Sequence, residues 1–298
     1  MAFLPGTSGN DTLTGADEAD IILGEQGNDS IDGGAGDDFL SGGQGNDTIT
    51  TGAGDDVVLG GPGDDSIGGM AGRDTILAGA GSDFIAWNDP TGDLVFGGGD
   101  NDTILGGDVA ADTIRGSAGD DLIRAFATSP DAATAADLLQ GNAGNDTVIG
   151  GDASDTIEGG AGDDFLIGND GADAFVFRMS GEGADDDGSD DGTDGGTDGG
   201  TDGGTDDGTD GGTDGDIDGG TDGGTDGGTV IGTGVDLIAD FDPSEDVVQL
   251  FGFAEDFNPL EALSGAAGGT LLDLGNGNSV LFVGRTVAEF GTEDFLLL

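Results

Sequence analysis

Aspartate recurs at every ninth residue over the first part of the chain: Asp11, Asp20, Asp29, Asp38, Asp47, Asp56, Asp65, Asp74 and Asp83. A one-residue slip near Trp87 carries the series to Asp93 and Asp102, and a second slip to Asp112 and Asp121. The inserted AFATSPD of 125–131 then resets it to Asp137, Asp146, Asp155, Asp164 and Asp173, which makes 18 repeats. Few chemistries are open to such a series. The chain carries 63 acidic residues against 5 basic ones, for a formal net charge of −58, and has no histidine, cysteine or tyrosine. Without cysteine there is no disulfide, thiolate metal ligand or thiol nucleophile. Without histidine the usual general base and zinc ligand are missing. Carboxylates in register attract cations and repel nucleic acid and anionic lipid. A disordered acidic chain or an acidic solvated surface could carry the same charge, but neither would keep a period.

The elements that position these carboxylates are written in the same nine-residue unit. Residues 33–50 read GGAGDDFLS and GGQGNDTIT, with glycine in the first, second and fourth places and an apolar residue in the eighth. The eighth place is apolar in all 18 repeats, from Leu13, Ile22 and Ile31 to Ile157, Leu166 and Phe175. Gly-Gly-x-Gly permits positive φ and tight turns. The last three residues, with one apolar side chain between two others, suit a very short strand with one residue inward. Turn, strand, turn, strand makes a flattened coil of two repeats. Coils stacked about 4.8 Å apart form parallel ladders on two faces around one narrow core.

That stacking sets sixth-place aspartates 18 residues apart on the same edge, one ladder spacing from each other. Two unit charges at ~4.8 Å repel by roughly 1 kcal/mol in water and ~3.5 kcal/mol at an effective dielectric of 20. Two aliphatic side chains per coil are too few to offset whole columns of such repulsion together with the ordering of the coil. A hard divalent cation between stacked turns cancels it and takes turn carbonyls as further ligands. Oxygen-only ligands on a flexible glycine turn favour Ca²⁺ over Mg²⁺. Zinc and copper prefer nitrogen or sulfur donors that this chain lacks.

On these repeats the chain closely resembles the RTX (repeats-in-toxin, haemolysin-type) calcium-binding family over about residues 6–177. The resemblance implies an all-β fold, a right-handed parallel β-roll that is a calcium-stacked solenoid. Multiple Ca²⁺ ions would sit between the turns of repeats n and n+2, held by backbone carbonyls and the sixth-place Asp of both. One edge would use Asp11, Asp29, Asp47, Asp65 and Asp83, the other Asp20, Asp38, Asp56 and Asp74. GEQGND (24–29), GGAGDD (33–38), GGQGND (42–47), GGPGDD (60–65), GNAGND (141–146) and GGAGDD (159–164) match the motif well. GADEAD (15–20), GGGDND (97–102), GDVAAD (107–112), AATAAD (132–137) and GGDASD (150–155) lose the fourth-place glycine. Weak or absent ions are expected around these.

The domains expected are the roll at 1–177, a disordered acidic linker at 178–229 and a small β-rich segment at 230–298. The linker dissolves into GTDGGTDGGTDGG and has nothing to build a core from. Within it DGDIDGG (214–220) imitates the start of an EF-hand loop, but Thr225 stands at the twelfth position and no amphipathic helices flank it. The third segment reads as strands around an Asp-Pro-Ser-Glu-Asp turn and a hairpin with Gly-Asn-Gly-Asn at its tip. It could cap the open end of the roll, a reading the spacer weakens because a cap should be contiguous.

DLIADFDP (236–243) and the terminal EDFLLL (293–298) also resemble the C-terminal region of RTX proteins exported by type I secretion. That implies a secreted, extracellular or surface-associated protein with the type I secretion apparatus as partner, and fits the start MAFLPGTSG, which is no ordinary secretory signal. No stretch approaches the ~20 apolar residues that span a bilayer. The expected function is a secreted calcium-binding protein that folds on meeting extracellular Ca²⁺, with a structural or surface role. No catalytic residues are expected: repeats begin at Gly6, which leaves no room for an enzyme domain. The alternatives are an adhesive or matrix module, an accessory subunit of a secreted enzyme, or ice binding. The last is disfavoured because the third-place residues of one edge, Ser8, Gln26, Gln44, Pro62 and Ala80, form no threonine column. The biological partner is not written in the sequence.

Overall fold

A computed structural model describes residues 1–107, 109–126, 135–179, 235–254 and 257–298. The linker from residue 180 on and its EF-hand look-alike at 214–220 lie outside the described residues, whereas Arg178, expected as the linker's first residue, ends the strand Ala174–Arg178 opposite Phe251. The last three residues of each unit do form a strand with one side chain in, as in Thr48–Thr50, where Ile49 is buried between two exposed threonines. Strands from alternate repeats collect into two sheets of 12 and 13 strands. Pairing is parallel at the stride of one coil: Thr48 to Ser66, Ile49 to Ile67, and across the other sheet Phe39 to Val57 and Leu40 to Val58. The eighth-place residues from Ile22 to Phe175 are buried in the single seam between the sheets. The architecture is the parallel β-solenoid expected, about nine coils of two repeats.

The slips leave the ladders intact. After Trp87 the register steps from Phe84 to Thr103, and after the seven-residue insertion from Leu122 to Thr147. Extra residues are held at the coil corner, where the Trp87 N–H donates to the Leu105 carbonyl and the Gly106 N–H to the Arg124 carbonyl. A solenoid tolerates such insertions because each coil touches only its neighbours.

The turn explains the glycine. Gly45, in a fourth place, has φ +122, and a Cβ there would land on the Gly27 carbonyl oxygen of the coil below. The left-handed region itself is open to some side chains: Glu25, Ser117, Asn142 and Asn169 occupy it in second places and Asp100 in a fourth. Positive φ costs a residue with a Cβ about 1–2 kcal/mol, and at Gly45 the carbonyl below adds a clash. Gly45→Val should therefore lower the thermal midpoint by at least ~2–4 °C, read by calorimetry. An unchanged midpoint would contradict the close-stacked turn.

The spacer does not prevent the C-terminal segment from closing the roll. Val235–Ile238 extends the larger sheet in parallel, with Leu237 opposite Phe165, and Val247–Phe251 extends the other along Ala174–Arg178. Asn278–Val283 and the terminal Phe295–Leu297 then pair outside these two strands. The hairpin of Gly269–Gly275 and Asn278–Val283 is antiparallel. Phe241, Phe282, Phe290 and Phe295 pack with ring centroids 4.9–5.9 Å apart, and Phe241 reaches Phe175 at 6.1 Å, so the seam ends in an aromatic plug. Contiguity is a weak requirement because loop closure costs only ~0.6 kcal/mol per doubling of length. Among the described residues no helix is long and apolar enough to cross a membrane.

Candidate metal centre

The stride-nine aspartates stand in two columns, one along each edge of the roll. Asp20 to Asp173 are at most 4% exposed, and only Asp11, in the first coil, is half-buried. In each column the carboxylate of one coil reaches back to the coil before it. The Asp29 N–H donates to Asp47 Oδ1 at 2.7 Å and the Asp47 N–H to Asp65 Oδ1 at 2.8 Å. The second edge repeats this from Asp20 through Asp38, Asp56 and Asp74. The ladder continues across the slips through Asp83, Asp93, Asp102, Asp112 and Asp121, and across the insertion to Asp137 and Asp146. It runs on through Asp155, Asp164 and Asp173. The pairing of repeats n and n+2 thus places the expected aspartates together.

Oδ1 is spent on this ladder, and Oδ2 is what remains for chemistry. Among the described residues it is buried without a hydrogen-bond partner in Asp29, Asp38, Asp47, Asp56, Asp65, Asp74, Asp83, Asp93, Asp102, Asp112, Asp121, Asp146, Asp164 and Asp173. A buried, unpaired carboxylate oxygen is costly and demands a partner. At Asp29, Asp38, Asp47, Asp65, Asp102, Asp121, Asp146, Asp164 and Asp173 that oxygen looks into a cradle at a first-place glycine that a side chain would fill, whereas Thr51, Ala78 and Asn88 hold the first place before Asp56, Asp83 and Asp93. A Cβ on first-place Gly42 would meet both Asp47 Oδ2 and the Gly60 carbonyl oxygen of the next coil, and Gly24 and Gly60 repeat the arrangement. Carboxylate and carbonyl oxygens therefore converge with no nitrogen or sulfur among them, a donor set for a hard cation. No three carboxylates close into a ready-made cage among the described residues, so backbone carbonyls would have to supply much of the shell.

Three sites differ. The Thr7, Ala16 and Gly151 N–H groups fold over onto Oδ2 of Asp11, Asp20 and Asp155, which leaves those oxygens engaged. Where the second-place glycine turns normally, its N–H goes instead to the next coil, as Gly43 does to the Gly60 carbonyl at 2.9 Å. The degenerate repeats 15–20 and 150–155 fall in this engaged class, and so does 6–11, which keeps its fourth-place glycine at Gly9. The degenerate 97–102 does not. Asp100 keeps the turn at φ +69, and Asp102 Oδ2 stays free of hydrogen bonds.

Burial sets the electrostatics. It pushes the carboxyls of Asp93, Asp137, Asp146 and Asp173 up to about 8, those of Asp65, Asp74, Asp102 and Asp112 to about 7, and those of Asp56, Asp83, Asp121 and Asp164 to about 6. The ladder N–H works against burial in each, and neighbouring carboxylates add to it. Asp20 runs the other way, lowered by the Ala2 and Ala16 N–H groups.

Sequence reasoning missed two participants. Asp236 and Asp246 prolong the two columns, accepting the Asp164 N–H at 3.1 Å and the Asp173 N–H at 3.0 Å, and both are buried. Their signal was an Asp two residues before an inward apolar residue, Asp236 before Ile238 and Asp246 before Val248. The fifth place also forms a column, of opposite sense. The Asn28 N–H donates to Asn10 Oδ1, Asn46 to Asn28, Asp64 to Asn46 and Ser82 to Asp64.

Comparison with known proteins agrees with this geometry. The family model described as RTX calcium-binding nonapeptide repeat matches residues 5–40, 32–67, 59–86, 91–110, 107–127, 132–166 and 149–176. No curated protein is matched by the chain. Among solved structures, the extracellular lipase LipA from Serratia marcescens aligns at 16% identity and a TM-score of 0.37, over 99% of this chain and 40% of the lipase chain. The chain thus spans less than half of that lipase's length.

Proposed function

The chain belongs to the RTX calcium-binding nonapeptide repeat family, and from that premise we propose that it is a secreted protein whose roll folds as extracellular Ca²⁺ loads two columns of aspartates. RTX nonapeptide repeats bind several Ca²⁺ ions across the repeats. The observation that supports the assignment to particular residues is the row of buried Oδ2 atoms without partners, which at Asp29, Asp38, Asp47, Asp65, Asp102 and Asp146 face a carbonyl oxygen of the next coil across a glycine cradle. Asp29, Asp38, Asp47, Asp56, Asp65, Asp74, Asp83, Asp93, Asp102, Asp112, Asp121, Asp146, Asp164 and Asp173 are the strongest ligands in this reading. Asp11, Asp20 and Asp155 are weaker because a local N–H competes with the ion. Asp137 joins through its place in the ladder. The ions would neutralise the columns and hold successive coils; the chain's own residues orient the carboxylates and exclude side chains from the cradles.

The role proposed is structural or surface-associated binding without catalysis. Residues 180–229 serve as a linker, and 230–298 closes the roll and is read by a type I secretion apparatus before folding. Pairing of the terminal strand with Val248–Leu250 and burial of Phe295 support that order, since folding ties the backbone of Phe295–Leu297 into the sheet while Leu296 and Leu297 stay exposed.

Asp47→Ala tests the residue assignment. It removes one ligand and leaves the buried Asp29 N–H without its acceptor, a cost of about 1–3 kcal/mol. Calorimetric Ca²⁺ titration should show about one to two fewer ions bound and a severalfold weaker midpoint, with Mg²⁺ a poor substitute. An unchanged stoichiometry and midpoint would remove Asp47 from the ligand set and count against the pairing of repeats n and n+2.

A further inference from the structure

The two sheets of the roll differ on the outside in a way the inside does not require. One inward residue per repeat builds the core, and its neighbours in the seventh and ninth places lie on the outer face. On the 13-stranded sheet these triplets read TLT (12–14), SID (30–32), TIT (48–50) and SIG (66–68). On the 12-stranded sheet they read IIL (21–23), FLS (39–41), VVL (57–59), TIL (75–77) and LVF (94–96). Polar and hydrocarbon outer faces thus alternate from repeat to repeat. The contrast ends at Phe84, which is exposed on the 13-stranded sheet. Both sheets have the same structural task, so the fold does not account for the difference.

Val57 and Leu77 are 39% and 42% exposed at the middle of the apolar face, and Phe3 is exposed at its end. Six strands of three to six residues, from Phe3–Pro5 to Leu94–Gly99, make up this face. At ladder and strand spacings it measures about 29 Å by 10–20 Å, roughly 300–600 Å². A contiguous apolar patch of that size commonly marks an interaction site.

The two ends of the face carry opposite charge. Exposed Glu25 follows Ile21–Leu23 in a second place. Half-buried Arg115 holds the ninth place of Thr113–Ala118, its guanidinium 5.3 Å from the Phe96 ring. A two-fold axis along the strands, midway between Val57–Pro62 and Thr75–Ala80, lays the face on a second copy of itself. Counted through the strand order, Ile21–Leu23 then meets Thr113–Ala118 of the other copy. Small Ser41 falls opposite Phe96, Leu59 opposite Leu77, and Glu25 of each copy beside Arg115 of the other. Sheets pack face to face ~10 Å apart. The pair buries on the order of 600–1,200 Å² in all, enough for a weak dimer and short of the ~1,600 Å² of a stable one. An anionic lipid surface fits less well, because acidic columns flank the face on both sides.

We propose that the outer face of the 12-stranded sheet, from Ile21 to Arg115, is a self-association surface. Its occupant is a second copy of this chain, related by a two-fold axis, with the two rolls running in opposite directions. The face exists only in the folded roll, so the dimer forms in whichever buffer folds the chain.

Sedimentation velocity of the full-length chain in Ca²⁺, from low micromolar to near-millimolar chain, tests this. The mass should rise from one chain to two and stop, with a midpoint of about 10–100 µM. Val57→Lys with Leu77→Lys should raise that midpoint at least about tenfold. Thr48→Lys with Thr50→Lys changes the net charge equally on the opposite sheet and should behave as the native chain. Glu25→Arg should weaken the dimer severalfold, and adding Arg115→Glu should restore it. A native chain that stays monomeric throughout, or whose mass grows past two, overturns the proposal. So does a Val57→Lys, Leu77→Lys chain that associates like the native one. If the lysine pair does not fold by dichroism, Val57→Thr with Leu77→Thr is judged by the same upward shift. A charge swap that restores nothing refutes the opposed arrangement. Flotation of a monomeric native chain with phosphatidylcholine vesicles, lost in the lysine pair, would assign the face to lipid instead. A native chain whose dichroism ignores Ca²⁺ overturns the calcium reading and leaves this test as it stands.

Discussion

With excess chelator at pH 7.5 the chain should give a largely unordered far-UV dichroism spectrum and an expanded hydrodynamic radius, and millimolar Ca²⁺ should restore a β-rich, compact form. The expected effect is global because the penalty is global. Each edge of the roll is a column of buried carboxylates, and among the described residues fourteen of them have a second oxygen with no hydrogen-bond partner. Without metal, successive coils must either meet charge on charge at one ladder spacing, ~3.5 kcal/mol per contact at an effective dielectric of 20, or take up protons that an unfolded aspartate does not hold at pH 7.5, which also costs stability. The opposing core is one aliphatic side chain per repeat. Metal that binds only the folded state converts its binding free energy into folding free energy. Mg²⁺ should do this poorly, since it demands a tight octahedral shell that a flexible carbonyl turn does not offer. A chain that stays compact and melts cooperatively in excess EDTA at pH 7.5 would refute ion-dependent folding, whatever the repeats resemble.

What could be read in advance follows from the geometry of a solenoid. Contacts fall at one fixed sequence separation, so Ile49 meets Ile67 and Asp47 meets Asp65 by counting alone. The slips at Trp87 and Gly106 and the insertion at 125–131 were legible because the count resumes after them. The parts that escaped are those without a period. The C-terminal segment adds one coil's worth of strands after a long spacer, so Asp236 and Asp246 have no neighbour at stride nine to mark them. The fifth-place column was hidden because Asn, Asp and Ser serve equally when the requirement is only an oxygen to accept the next coil's N–H. Fourth-place glycine proved an imperfect guide. Gly9 is present yet Asp11 Oδ2 is engaged, whereas Asp100 takes the left-handed turn and leaves Asp102 Oδ2 without a partner. The direction of the second-place N–H decides this, and residue type does not reveal it.

Protons and calcium compete for the same oxygens, which gives the second large effect and a sign that differs from ordinary acid denaturation. An unfolded aspartate titrates near ~3.9. In the roll, burial raises Asp93, Asp137, Asp146 and Asp173 to about 8 and Asp65, Asp74, Asp102, Asp112 and Asp236 to about 7. Between pH 4 and 8 the folded state thus holds more protons than the unfolded one, and stability falls as pH rises. The contribution of these groups is fully present below the unfolded value and is lost through the folded ones. In chelator, acidification from pH 8 to pH 5 should therefore restore part of the β signal, because protons neutralise the columns in place of ions. In Ca²⁺ the same acidification should weaken binding, with the midpoint concentration rising as each column takes up protons. Dichroism titrations in EDTA and in Ca²⁺, paired with a calcium electrode, read both arms. If the chelated chain is as unordered at pH 5 as at pH 8 while Ca²⁺ affinity is independent of pH, the raised carboxyls are not the ligands. Opposite slopes in the two arms are the outcome that ties folding, protonation and metal to one set of oxygens.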